Sequence, residues 1–297
     1  MPQLNKIESH IVPSLEKPTR LQDYTLGFFK AISTKSSLKK AIKKGLISIN
    51  LNKAKTGDFL KAGDVIDLHQ DETTKQKPNI RLELEVLCED DYLALINKPA
   101  GITVSGNKKW TLENALGNNL KPSTQKDALA RPEPIHRLDH PTSGVLLVGK
   151  TSSAVIALNK LFENKTIEKT YFAVTIGQQI PNGIIDSSID DKSSKTSFKV
   201  LKSLPSEKFK FLNLVELKPK TGRKHQLRKH MAEIGNPILG DKTYGIENKI
   251  LFGNGLYLHA QSLSFTHPVT TESIHCSAAV PKKFIRLFPP SNMTTIQ

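Results

Sequence analysis

An α+β fold in two unequal parts is what this sequence predicts, and three observations carry the prediction. Helix-like and strand-like segments follow one another without a regular βαβ rhythm, which disfavours a doubly wound parallel sheet. Residues 70–79, Gln-Asp-Glu-Thr-Thr-Lys-Gln-Lys-Pro-Asn, hold no large apolar side chain and read as a linker between a small unit and a larger one. Of the 297 residues, 37% are hydrophobic and 24% charged, enough for real cores, while no apolar run approaches the roughly 20 residues a bilayer span needs.

In the first unit, over residues 12–70, Ser36 or Ser37 caps a helix through Leu38-Lys39-Lys40-Ala41-Ile42-Lys43-Lys44, and Gly45 stands at its C-terminal cap. Leu38, Ala41 and Ile42 share one face and the four lysines the other, without the Glu at i−4 that ordinary solvated faces use. Ile47 and Ile49 alternate with polar residues as in a strand, and Lys61-Ala62-Gly63-Asp64 turns the chain into the strand Val65 to Leu68. With 71–79 as the linker, the second unit is expected over 80–290. Leu84 to Leu87 and Tyr92 to Ile96 flank Glu89-Asp90-Asp91 as a hairpin. Val145 to Val148 is a short apolar strand, and a helix follows from Ser152 to Phe162. Tyr171 to Ile176 and Phe211 to Leu217 are further strands. A last helix opens at Thr221 or Gly222 and reaches Ile234, with Leu227, Met231 and Ile234 facing the core.

The charge has a direction. The 43 Lys and Arg against 28 Asp and Glu leave +15, which favours a polyanionic partner. Between Lys35 and Lys61 lie eight lysines against one acid, Asp58, and between Lys218 and His230 six Lys or Arg, two histidines and no acid. RNA leads as the partner class, with an anionic membrane surface second. Two cysteines, Cys88 and Cys276, make neither a disulfide framework nor a four-ligand zinc site. The N-terminal residues lack the apolar core of a secretory signal, so the cytoplasm is the expected compartment.

Chemistry concentrates at Pro134-Ile135-His136-Arg137-Leu138-Asp139-His140-Pro141-Thr142-Ser143-Gly144, a polar loop set against a strand that must be buried. Asp139 reads either as a turn-stabilising carboxylate or as a reactive one. Ser143, His136 and Asp139 lack the Gly-x-Ser-x-Gly elbow and stand too close along one loop for a triad. His225 and His230 fall about 140° apart on a helix, so no metal pair is expected. No phosphate-binding or dinucleotide loop occurs.

These residues carry a resemblance. His136-Arg137-Leu138-Asp139 with Thr142-Ser143-Gly144 resembles the catalytic motif of RluA-type RNA pseudouridine synthases. Lys98-Pro99-Ala100-Gly101, Lys169-Thr170-Tyr171-Phe172-Ala173, the basic stretch Thr221 to His230, Leu258-His259-Ala260 and His267-Pro268 match further elements in the same order, over residues 80 to 288. His140-Pro141 departs from the charged pair many members carry. The first unit resembles the alpha-L RNA-binding domain named after a small-subunit ribosomal protein, with Ile49-Asn50-Leu51-Asn52 where many members have Val-Asn-Gly.

The resemblance implies a mixed, mainly antiparallel sheet flanked by helices around a central cleft. It implies an isomerase that turns uridine into pseudouridine in structured ribosomal or transfer RNA, without cofactor or metal. Asp139 is then the carboxylate at the sugar, acting as nucleophile or as base on the ribose. Arg228 is expected to hold it ionised through a bidentate pair, and Tyr171 to stack on the uracil first and to help remove the C5 proton second. Arg137 is placed to fill the space a flipped uridine leaves or to hold the flipped strand. His136, Thr142, Lys98, Arg223, Lys224 and His225 are expected at the RNA, with Lys98 as a phosphate contact, and Lys39, Lys40, Lys43 and Lys44 extend the footprint. A monomer is expected. The competing readings are a noncatalytic RNA-binding factor on the same scaffold and a glycosidic hydrolase, for which Glu133 is the only other acid in the loop.

Overall fold

A computed structural model of the chain describes residues 4–15, 17–24, 29, 32, 35–71, 78–251 and 253–289. The elements of the first part are β1 (Leu4–Ile11), β2 (Thr19–Arg20), α1 (Leu21–Tyr24), α2 (Lys35–Lys43), β3 (Ile47–Ile49), β4 (Asn52–Lys53), β5 (Phe59–Leu60) and β6 (Val65–Asp71). One sheet runs β1-β6-β3-β4, and β2 pairs with β5 separately. Leu38, Ala41 and Ile42 of α2 lie in a core with Ile47, Ile66 and Leu68, which leaves Lys39, Lys40, Lys43 and Lys44 exposed. Gly45, at φ 69°, ends the helix as expected: its N–H reaches the Ile42 carbonyl at 2.9 Å and the Leu46 N–H reaches that of Ala41 at 3.0 Å. The helix starts at Lys35, so Ser36 and Ser37 fall in its first turn rather than before it. The sheet also takes in Leu4–Ile11, ahead of the span expected from the sequence, and most of the linker expected over 71–79, residues 72–77, lies outside the described residues.

The second part contains β7 (Glu85–Glu89), β8 (Leu93–Lys98), α3 (Leu116–Asn119), β9 (Ala128–Pro134), β10 (Ser143–Thr151), α4 (Ser152–Glu163), β11 (Glu168–Ile176), β12 (Asn182–Ile185), β13 (Thr196–Ser206), β14 (Lys210–Pro219), α5 (Gln226–Glu233), β15 (Leu258–Thr266), β16 (Ser273–Ser277) and α6 (Lys282–Leu287). They build one mixed sheet in the order β12-β13-β14-β11-β15-β10-β8-β7, with β9 added to β10 and β16 to β15. All neighbours are antiparallel except β10 and β15.

The apolar run in β10 reflects burial on both faces. Leu146 and Val148 pack with Ala94 and Ile96 on one side, Val145 and Leu147 with Leu93 and Leu95 on the other. A separate cluster joins Phe172, Val174, Val215 and Leu217 of the β11–β14 half to Leu227 and Met231 of α5.

The two halves of the sheet meet along a short seam. β10 touches β15 through two pairs only, Ser143 with His259 and Gly144 with Ala260. Gly144 is required there: its φ is 116°, and a Cβ would stand 2.1 Å from the Ala260 carbonyl oxygen. Beyond the seam β10 turns to β9 and β15 to β16, so the loop entering β10 opens into the gap between the halves.

The last helix departs from expectation at its start. It begins at Gln226, because His225 has φ 55° and breaks the helical path, leaving Thr221 to Lys224 as a turn. Gln226 secures that turn: its Oε1 accepts from Thr221 Oγ1 at 2.7 Å and from the Arg223 N–H at 3.0 Å. Ile234, expected in the core face, follows the helix and is 37% exposed.

Candidate active site

The loop Ile135–Thr142 is held at both ends and from below. The Ile135 N–H bonds the Leu147 carbonyl at 2.9 Å, and the Leu147 N–H donates to His136 Nε2 at 3.1 Å. Leu138 drops into the core between these anchors, and the Thr142 N–H closes a four-residue turn onto the Asp139 carbonyl at 3.0 Å. Lys98, at the end of β8, is completely buried. Its ammonium donates to the carbonyls of Pro99 at 2.9 Å, His140 at 3.4 Å and Thr142 at 2.7 Å. Burial drives its pKa down to about 8, against the pull of the Asp139 charge. The Gly101 N–H adds a bond to the His140 carbonyl at 2.8 Å. The Lys-Pro-x-Gly segment is therefore a brace beneath the loop.

This rigid loop presents the Asp139 carboxylate, 24% exposed, to the N-terminal end of α5. Arg228 Nη1 lies 3.4 Å from one carboxylate oxygen and His225 Nε2 3.7 Å from the other. His225 occupies the left-handed position just ahead of the helix, with its ring at Asp139. The ring's Nδ1 meets the Tyr244 hydroxyl at 3.0 Å, and burial holds the imidazole below its ordinary pKa despite Asp139.

The bidentate partner expected for Asp139 belongs to another acid. Arg228 donates from Nε and Nη2 to the two oxygens of buried Asp241, at 2.7 and 2.8 Å, and from Nη2 to Thr243 Oγ1 at 3.1 Å. The guanidinium also lies over the Tyr244 ring, 5.1 Å from its centre. Only Nη1 is left for Asp139. Burial opposes the Arg228 charge, but Asp241 and then Asp139 outweigh it and hold the pKa above its ordinary value. Asp241 would be raised by burial too, yet Arg228 and the N–H groups of Thr243 and Tyr244 hold it below the usual carboxylate range. Asp241, Thr243 and Tyr244 escaped the sequence reading. The available signal was the turn-like Gly240-Asp241 and Tyr244-Gly245 pairs, in which a Cβ on Gly240 would meet the Gly255 carbonyl at 2.0 Å and one on Gly245 that of Asp241 at 2.2 Å.

Sheet register brings Tyr171 to the same place. Tyr171 pairs with Ala260 on β15, and Ala260 pairs with Gly144 at the seam, so one row across three strands links the tyrosine to the loop's end. Burial, with Asp139 adding to it, raises the phenol pKa well above 10, so it stays protonated. Asp139, Tyr171 and Arg228 line one cleft of about 590 Å³ with Arg137, His136, Phe162 and Lys169. His136, 4.9 Å from the Phe162 ring centre, is held neutral with a pKa near 3, by burial first and Lys169 second. Lys169, also missed as a site residue, is drawn down to about 8 by burial and by Lys220 and Lys165.

The remaining expectations divide. Arg137, Arg223 and Lys224 line the cleft, Arg137 and Lys224 exposed and Arg223 steadied by a 3.1 Å bond from Nε to the Ser193 carbonyl. His225 is at the carboxylate rather than out at the rim. Lys98 is not a phosphate contact, since its ammonium is turned onto the backbone carbonyls of Pro99, His140 and Thr142 in the interior. Thr142 is 2% exposed, and its hydroxyl has no partner among the described residues. The lysines of α2 belong to the other sheet and do not join the cleft. Among the described residues no group of three His, Cys, Asp or Glu side chains could hold a metal ion, and no helix is long and apolar enough to cross a membrane.

Comparison with known proteins points to one family. Residues 92–233, which span the loop, Tyr171 and α5, match the RNA pseudouridylate synthase family. Ribosomal large subunit pseudouridine synthase C of Rickettsia typhi is 31% identical over 91% of this chain and 96% of its own. tRNA pseudouridine synthase C of Pasteurella multocida is 36% identical over 69% of this chain and 95% of its own. Among solved structures, human RNA pseudouridylate synthase domain containing 1 superposes with a TM-score of 0.57 at 25% identity, covering 73% of this chain and 89% of its own. On the strength of these matches the chain belongs to the RluA-type RNA pseudouridine synthase family, whose members isomerise uridine in RNA.

Proposed function

We propose that this isomerase acts on a uridine in ribosomal large-subunit or transfer RNA, the substrates named for its relatives, and that Asp139 is the group at the ribose. The observation that carries the assignment is the carboxylate at the wall of the cleft, on a loop fixed from below by Lys98 and faced by an arginine that Asp241 has already oriented. In the reaction the bond from ribose C1′ to uracil N1 breaks, the uracil turns, and C5 bonds C1′. The proton on C5 leaves and N1 ends protonated, so composition is unchanged and no cofactor is consumed. Whether Asp139 bonds C1′ or takes a proton from the ribose, it must be ionised and aimed. Arg228 supports both needs, with its charge partly shared by Asp241.

Tyr171 suits stacking on the uracil, because a phenol kept protonated by burial and by Asp139 is a poor base. Arg137 at the exposed edge suits the space the flipped nucleotide vacates. Arg223 and Lys224 suit flanking phosphates. Thr142, buried at the end of the loop, suits holding it through its backbone, whose carbonyl takes the Lys98 ammonium and whose N–H bonds the Asp139 carbonyl. The first sheet and α2 form a separate RNA-binding unit in this reading, supported by a core drawn only from residues 12–68 and by the exposed lysine face. This reading takes the working form to be a monomer.

The test is pseudouridine mapping of total RNA from cells with the protein, without it, or with Asp139→Asn. A uridine modified only in the first case is expected. Modification independent of the protein would return the chain to the binding-factor reading, and release of free uracil would favour a hydrolase.

A further inference from the structure

The chain's single tryptophan, Trp110, is 58% exposed, and between Val86 and Ile180 no other large apolar side chain is exposed among the described residues. An indole this exposed offers a flat apolar face that a partner can cover. Its setting is built. Residues 105–110, Ser-Gly-Asn-Lys-Lys-Trp, are all exposed and contain no acid. The buried side chain of Asn114 donates its amide to the Lys109 carbonyl at 2.8 Å and to that of Lys108 at 3.4 Å. The Thr111 N–H closes onto the Lys109 carbonyl at 3.2 Å, and Thr111 and Leu112 are buried immediately after it. The turn is thus pinned from inside while Lys108, Lys109 and Trp110 project outward.

The turn is also tied to the catalytic loop. Thr111 bridges to Thr103, and the Gly101 N–H bonds the carbonyl of His140, the residue after Asp139. Chain geometry then places the Trp110 Cα within about 16 Å of Gly101. Gly101 in turn is bonded to the residue that follows Asp139, so the turn lies a few nucleotide lengths from the reacting loop.

An aromatic face beside lysines is the arrangement that takes unpaired nucleotides, since every base has a π-face and the flanking phosphates are anionic. A protein partner is less well matched: lysine is depleted in protein interfaces, and Trp110 has no exposed apolar neighbour in its own segment. We infer that Trp110 is a stacking platform for an unpaired base of the substrate RNA outside the reaction cleft, with Lys108 and Lys109 on the adjoining phosphates. The inference rests on the RNA-modifying reading above.

One tryptophan makes the test direct. A stem-loop transcript spanning a uridine that the wild-type protein modifies would be titrated into the full chain with excitation at the indole. The expected result is saturable quenching that tracks binding measured independently by filter retention. Trp110→Ala should weaken binding about tenfold, the loss of one stacked base, with kcat at saturating RNA kept. Trp110→Phe should stay within about threefold of wild type, and Lys108→Gln with Lys109→Gln should weaken binding and flatten its salt dependence. Binding without any change in fluorescence, together with wild-type affinity in Trp110→Ala, would overturn the platform while leaving the activity standing. A Trp110→Ala defect seen in cells but absent with purified RNA would assign the residue to a protein partner instead. If the wild-type protein modified no RNA, the underlying reading would fall with it.

Discussion

Replacing Asp241 by Asn removes one charge and almost no volume, and the structure says where the loss falls. Oδ1 accepts three bonds, from Arg228 Nη2 at 2.8 Å and from the N–H groups of Thr243 at 2.9 Å and Tyr244 at 3.1 Å. Oδ2 accepts one, from Arg228 Nε at 2.7 Å. Asparagine best keeps its oxygen on the Oδ1 side, which sets its NH₂ against Nε, donor against donor. One charge-assisted bond, about 1.5–3 kcal/mol, is lost, and a guanidinium that is 6% exposed loses its principal counter-charge. Breaking a buried pair from one side costs about 3–5 kcal/mol, so about 3 kcal/mol is expected with the shape preserved. Thermal unfolding should fall by roughly 6–12 °C. Arg228 would also lose the fork that aims Nη1 at Asp139, and a displacement near 1 Å costs about a hundredfold in rate. Single-turnover release of tritium from RNA labelled at uracil C5 reads that rate below the unfolding range. Wild-type turnover with a melting shift under about 1 °C would refute the idea that Asp241 positions the arginine.

Other consequences follow from single features. His259 is 1% exposed and pushed down to about 4 by burial, so the unfolded chain protonates first as pH falls. Stability should be intact above about 6.5 and drop by roughly 3 kcal/mol between 6.5 and 4 on account of this residue. Urea melts of wild type and His259→Asn would share the same acid loss if this were wrong. Leu51 sits at φ 70° and is 88% exposed in the two-residue turn between β3 and β4, a position glycine fills without strain. Leu51→Gly should stabilise the hairpin by about 0.5–1 kcal/mol, read as slower hydrogen exchange at Asn52 and Lys53; faster exchange would count against it. Changing Lys39, Lys40, Lys43 and Lys44 to Gln should weaken RNA binding and reduce the slope of log affinity against log salt by as much as about 3. An unchanged slope would remove α2 from the contact surface.

Periodic and punctuated features were legible before the structure. The amphipathic α2, its Gly45 stop, the Glu89-Asp90-Asp91 hairpin and the helix after Thr151 all follow from local pattern, and local pattern is what the sequence displays. The convergence of Asp139, Tyr171 and Arg228 came from resemblance, because three residues from a loop, a strand and a helix share no spacing rule. What stayed hidden was tertiary. Lys98 looked like a surface cation, since nothing local tells a buried ammonium on three carbonyls from a free one. Arg228 looked free for Asp139 because its true fork partner lies 13 residues on, in a turn fixed by two close glycine contacts. The helix start was misjudged because histidine can take left-handed φ and gives no warning of it. Leu4–Ile11 has its apolar residues at 4, 7 and 11, without the alternation of a strand, and gains its place in the sheet by pairing with β6.

The central claim is that Asp139 does the chemistry while its surroundings hold it. Purified wild-type protein and Asp139→Asn would be given the same uridine-containing transcript, with binding and pseudouridine formation measured on the same samples. The account predicts RNA affinity within a few-fold of wild type and no product from the variant over many wild-type turnover times. Full modification by Asp139→Asn would contradict it and send the search for the reacting group elsewhere in the cleft.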